Sequence, residues 1–179
     1  MKRQSAIAAY VLLLIAPALA AAQGSEHPYR GQGYLFLGLG FATPHGPFQV
    51  GSGAPLLTSV GVGGEGFPYK GLGFGAEVNY ASAGPYGLND AWIGSADFSY
   101  HFGRHSKRGH IDPFLLSGFS VVGPAENGSR GLPAGNFGGG ANWWLGEHTA
   151  LRLEFRDHIV AHDPFCHNIA SFRVGVTFR

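Results

Sequence analysis

The densest cluster of chemistry-bearing side chains in this 179-residue sequence is His158, His162, Asp163, Cys166 and His167. Imidazole and thiolate are good zinc or copper ligands, and donors this close in sequence can converge on one ion. The spacing matches no standard ligand motif, however, so a polar surface loop accounts for the same residues. Two Ser–His combinations have the residue types of a nucleophile and its base: Ser99 with His101, and His158 with Ser171. Cys166 reads as a free thiol, because no Cys–His–Asn framework surrounds it. The glycine runs at 61–64 and 138–140 lack the strand-to-helix setting of a phosphate-binding loop. A third group is purely ionic. Glu77, Asp97, Arg152, Glu154, Arg156 and Arg173, three acidic and three basic, recur on the polar sides of alternating segments.

Those alternating segments are the elements that must position the charges. In 71–80, Leu72, Phe74, Ala76, Val78 and Tyr80 oppose Gly71, Gly73, Gly75, Glu77 and Asn79. In 92–102, Trp92, Ala96, Phe98, Tyr100 and Phe102 oppose Ser95, Asp97, Ser99 and His101. The same period of two runs through 136–145, 150–157 and 172–178, with weaker traces at 33–41, 56–65 and 113–122. Alternation of this kind marks a strand with one apolar and one polar face. Gly-Pro and Asp-Pro pairs between the segments supply turns. Eight strands are expected.

Composition constrains the rest. Lys2 and Arg3 precede an apolar run from Ala6 to Ala16 and small residues up to Ala22, the pattern of a cleaved secretory leader over residues 1–22. The barrel or sandwich then occupies 23–179. Without Lys2 and Arg3 the chain carries ten basic and eleven acidic residues; with no basic stripe, nucleic-acid binding is not expected. One cysteine cannot form an internal disulfide. Charged residues make up only 13% of the chain, and past the leader lysine occurs only at Lys70 and Lys107. A soluble sheet surface carries far more. The polar faces are mostly Gly, Ser and Asn, which suits the narrow interior of a barrel turned inside out, its apolar faces toward lipid. Tyr80 and Trp92 then mark one rim, and Tyr100, Phe102, Trp143, Trp144 and Phe178 the other, as interface aromatics.

The segments GLGFGAEVNY (71–80), GGGANWWLGEHTALRLEFRDH (138–158) and the closing FRVGVTFR resemble the small outer-membrane β-barrel domain family, which includes OmpA/OmpX-type and opacity-protein-like barrels. The resemblance covers residues 30–179 and rests on pattern more than on an invariant motif. It implies an all-β fold: an eight-stranded antiparallel up-and-down transmembrane barrel in the cell outer membrane. It also implies contact with outer-membrane lipid and lipopolysaccharide, and recognition of the last strand by the barrel-insertion machinery. Arg179 follows Phe178, where the family usually ends on the aromatic residue. Loops at 42–55, 81–91, 123–135 and 159–168 then face outward. Turns at 66–70, 103–110 and 146–148 face the periplasm, and no further domain is expected.

The expected role is structural or surface-interacting, in a monomer without enzymatic activity, cofactor, metal or large pore. Two other classes stay open: a barrel enzyme acting on lipid A or phospholipid, and a soluble exported lipocalin-like barrel holding an apolar ligand. The last requires the Leu72/Phe74/Val78 face to point inward.

Overall fold

A computed structural model describes residues 31–43, 56–69, 71–83, 90–102, 110–124, 131–162 and 165–179, without the side chains of 161–166. The expected leader, residues 1–22, lies outside the described residues, as do Lys70, Lys107 and most of the span 103–110. Eight strands follow one another: β1 (Gly31–Ala42), β2 (Leu56–Tyr69), β3 (Leu72–Ser82), β4 (Ala91–His101), β5 (Ile111–Pro124), β6 (Leu132–Trp144), β7 (Thr149–His162) and β8 (Phe165–Phe178). Each pairs antiparallel with its neighbour, and β8 pairs back onto β1, so the sheet closes and leaves no edge strand.

The stagger of the closed sheet follows from the pairing. Gly33 pairs with Gly64, then in turn Ala76, Ala96, Phe119, Gly135, Ile159 and Asn168. The Asn168 carbonyl accepts from the amide of Thr43 at 2.9 Å. One circuit thus climbs from residue 33 to residue 43, a stagger of ten. For eight strands spaced about 4.8 Å apart, with a rise of about 3.3 Å per residue, that stagger tilts the strands about 40° from the barrel axis.

Apolar side chains point outward. Phe119 is 77% exposed, Leu37 67% and Phe172 66%, whereas Arg156 and His158 are fully buried. A water-soluble barrel has the opposite polarity, so the lipocalin-like alternative is excluded. An apolar wall around a charged lumen is the surface of a membrane-spanning barrel, whose strands satisfy every backbone group between themselves.

Two connections at one end are tight. Gly71, at φ 81°, turns the chain between β2 and β3, and its carbonyl accepts from the amide of His101 at 2.8 Å. Residues 145–148 close the β6–β7 turn, with the amide of Leu145 donating to the Thr149 carbonyl at 3.0 Å. At the other end the expectation for 159–168 is corrected. β7 and β8 remain paired as far as His162 opposite Phe165, so almost all of that span is strand. The sequence signal fades there because Val160 and Ile169 point inward while Ile159 points outward, so both faces are apolar.

Inward glycines set how closely the walls approach. A Cβ on Gly140 would meet the backbone of Leu153 and Glu154 and the ring of Phe114, whereas one on the outward Gly94 would meet nothing. Gly140→Val should therefore destabilise the barrel by about 1–3 kcal/mol in urea titrations of protein folded into vesicles, and Gly94→Ala should be close to neutral.

Candidate functional site

The polar lumen is built outward from β7. Alternate residues Arg152, Glu154, Arg156 and His158 all face inward, about 6.6 Å apart along the strand. Glu154 meets Arg152 at 2.8 Å, Arg156 at 2.8 Å and Arg173 of β8 at 3.4 Å. Across the lumen, Glu77 of β3 holds Arg173 at 2.7 Å and Arg156 at 3.4 Å, and Asp97 of β4 holds Arg156 at 2.8 Å. The six residues singled out in sequence therefore lie in one connected set. Stacking completes it. The Arg152 guanidinium lies 4.2 Å from the Tyr34 ring and 4.1 Å from that of Phe114, and Arg173 lies 4.5 Å from Phe36. Desolvated charges are tolerable only when paired and hydrogen-bonded in this way.

The network runs further than the sequence suggests. Glu65 of β2 bonds Arg152 at 3.3 Å and accepts from Ser99 at 2.6 Å. His101 lies between two carboxylates, with Nδ1 2.8 Å from Asp112 and Nε2 3.2 Å from Glu65. Only an imidazolium donates from both nitrogens. Ser99 therefore serves Glu65 and does not pair with His101. Glu65 was missed because it sits in a glycine run with weak alternation. Asp112 was missed because it precedes Pro113, at the edge of its segment.

His158 does not pair with Ser171 either. Its Nδ1 lies 3.1 Å from Ser120 Oγ and its Nε2 3.3 Å from Arg173 Nη2. An arginine can only donate, so Nε2 accepts and Nδ1 carries the proton toward Ser120. That is the wrong tautomer for deprotonating a serine. Asn136 donates to Ser120 at 2.8 Å, and Ser95 lies 2.9 Å from it. Ser171 instead accepts from Arg173 Nε at 3.2 Å. With both ring nitrogens engaged inside the lumen, His158 is not a loop ligand for a metal. His167 is likewise inward and buried. The side chains of His162, Asp163 and Cys166 lie outside the described residues.

Packed side chains line both ends of the lumen. Toward the 163–164 end, Ala42, Leu57, Ala81, Ile93, Val122, Ala134, Val160 and Ile169, one from each strand, form a buried apolar layer. At the other mouth the Arg179 guanidinium covers the Trp144 ring at 4.0 Å. Trp144 is fully buried, which corrects its expected place at the rim: adjacent strand residues face opposite sides, so Trp143 points out and Trp144 in. Between these ends, a cavity of about 10 Å³ beside Ser59, Asn79, His158 and Arg173 has room for about one water.

The remaining rim aromatics point outward. Tyr80 packs on Trp92 with ring centres 4.9 Å apart and donates its hydroxyl to Asp90, while Tyr100 meets Phe102 at 5.1 Å near the opposite end. Trp143 and Phe178 face out at that same end.

No family model matches the sequence, and no curated protein matches it. Solved structures do. Neisserial surface protein A is 11% identical over 83% of this chain and 96% of its own, with a TM-score of 0.65. The chain has the fold of the small eight-stranded outer-membrane barrels. The N-terminal β-barrel domain of Pseudomonas aeruginosa OprF aligns at 14% identity over 83% of this chain and all of that domain, TM-score 0.54. The attachment invasion locus protein Ail of Yersinia pestis aligns at 9% identity over 83% of this chain and 97% of its own, TM-score 0.55. This fold, with its apolar wall facing outward, is that of a membrane-spanning barrel.

Two measurements probe this chemistry. Glu154→Gln leaves three buried guanidinium groups short of one carboxylate and should cost about 3–5 kcal/mol in urea unfolding from vesicles. At the rim, hydrogen bonds from Ser82 and Tyr80 hold the Asp90 carboxyl below its ordinary value. Tyr80→Phe should move the Asp90 titration upward, read by NMR in micelles.

Proposed function

We propose that the protein is a non-enzymatic outer-membrane barrel with a structural or surface-interaction role, rather than a large pore. The observation that carries this reading is the filled lumen, ion-paired through its middle and closed by apolar side chains at one end. Among the described residues the lumen is packed with side chains, which leaves the lipid-facing wall and the outer loops as the surfaces for function. A leader over residues 1–22 directs export, and β8 engages the insertion machinery. Outer-membrane lipid and lipopolysaccharide surround a monomer. The tautomer of His158 argues against lipid hydrolysis or acyl transfer at Ser120.

The test combines a gel with an electrical recording. The protein folded in vesicles should migrate faster unboiled than boiled, and only when lipid or detergent is present. In planar bilayers the same preparation should give no discrete conductance steps. Stable nanosiemens steps would overturn the filled-lumen reading, and a monomer that folds without detergent would overturn the membrane reading.

A further inference from the structure

His101 joins three strands of the lumen at one mouth. Its Nδ1 lies 2.8 Å from Asp112 of β5 and its Nε2 3.2 Å from Glu65 of β2, and all three residues are buried. Each contact needs a hydrogen, and a neutral imidazole supplies only one. The second is an extra proton, which makes the ring a cation held between two carboxylates.

Neighbouring groups fix the carboxylates and the ring. Ser99 of β4 and Gln32 of β1 donate to Glu65. Arg152 of β7 pairs with Glu65 at 3.3 Å but is shared with Glu154 at 2.8 Å. The Phe114 ring stacks on the imidazole at 5.1 Å and carries the Arg152 guanidinium at 4.1 Å, while Phe67 meets the imidazole edge-on at 5.0 Å. The other ionisable groups described at this mouth are Arg179 on the Trp144 ring, His110 before β5, and the exposed Glu147 and His148 of the β6–β7 turn.

We propose that the extra proton on His101 is a pH-sensitive latch for the mouth that carries Gly71 and the 145–148 turn. With the ring charged, β2, β4 and β5 are tied together through Glu65, His101 and Asp112. Raising the pH removes the proton and leaves a neutral ring between two carboxylates, so this end loosens first. A histidine exposed in the unfolded chain is neutral above about pH 6.5. Folding therefore takes up a proton there, and stability falls as the pH rises.

The experiment follows urea unfolding from vesicles and amide exchange in micelles, from about pH 6.5 to about pH 9.5. In wild type the folded-to-unfolded ratio should fall by up to about tenfold per pH unit. The His101 and Phe102 amides, which donate to the Gly71 and Pro113 carbonyls, should lose protection more steeply than the Thr43 amide at the far end. Asp112→Asn lets a neutral ring satisfy both contacts, accepting from the new amide and donating to Glu65, and should flatten both profiles. His101→Gln should flatten them too, and D112N carries the test if H101Q does not fold. Equal slopes in wild type and D112N, an equal loss of protection at both ends, or a neutral His101 ring by nitrogen NMR near neutral pH would overturn the latch.

Discussion

Among the described residues Glu154 is the one carboxylate that Arg152, Arg156 and Arg173 all share, and the rest of the barrel is arranged so that this sharing can occur. An eight-stranded sheet closes to an interior that side chains just fill. Because the outer wall must be apolar, polar residues fall inward by alternation, and their charges must neutralise one another without water. Arg152, Arg156 and Arg173 are brought to Glu154 by two adjacent strands, β7 and β8. Glu77, Asp97 and Glu65 reach them from the opposite side of the lumen. Gly140 leaves room for the Phe114 ring, and Tyr34, Phe36 and Phe114 give the guanidinium groups aromatic faces to lie on.

Along the axis the lumen is stratified. His101, Asp112 and Glu65 form one charged layer, the arginine–carboxylate set the next, and Ser120, Asn136 and His158 a neutral hydrogen-bonded layer above it. The apolar layer from Ala42 to Ile169 then closes the far end. Low dielectric on three sides strengthens the ion pairs and makes any unpaired member expensive.

Much of this was legible in the sequence wherever the two faces differ in polarity. In β7 the sequence Leu151-Arg152-Leu153-Glu154-Phe155-Arg156 separates wall from lumen without ambiguity, and β4 does the same with Asp97 and His101. Legibility fails where the faces match. Near the 163–164 hairpin the lumen itself is apolar, so Val160 and Ile169 erase the alternation and strand reads as loop. Trp143-Trp144 fails for a related reason, since identical residues on opposite faces give no sign of which one points in. The serine partners of the histidines were beyond sequence reading. Which side chains meet across a lumen depends on stagger and not on nearness along the chain.

The stagger of ten residues also bears on how the barrel can close. β8 must find β1 at one of several registers that satisfy the backbone equally well. A slip by one residue would turn Arg173 into hydrocarbon and the wall residues Phe172 and Val174 into the lumen. A slip by two keeps the faces correct but carries Arg173 about 6.6 Å away from Glu77 on β3, while Glu154, its partner across the β7–β8 pair, moves with it. The luminal charges thus act as a proofreading code for the seam, accepting only the register in which every guanidinium arrives beside its carboxylate.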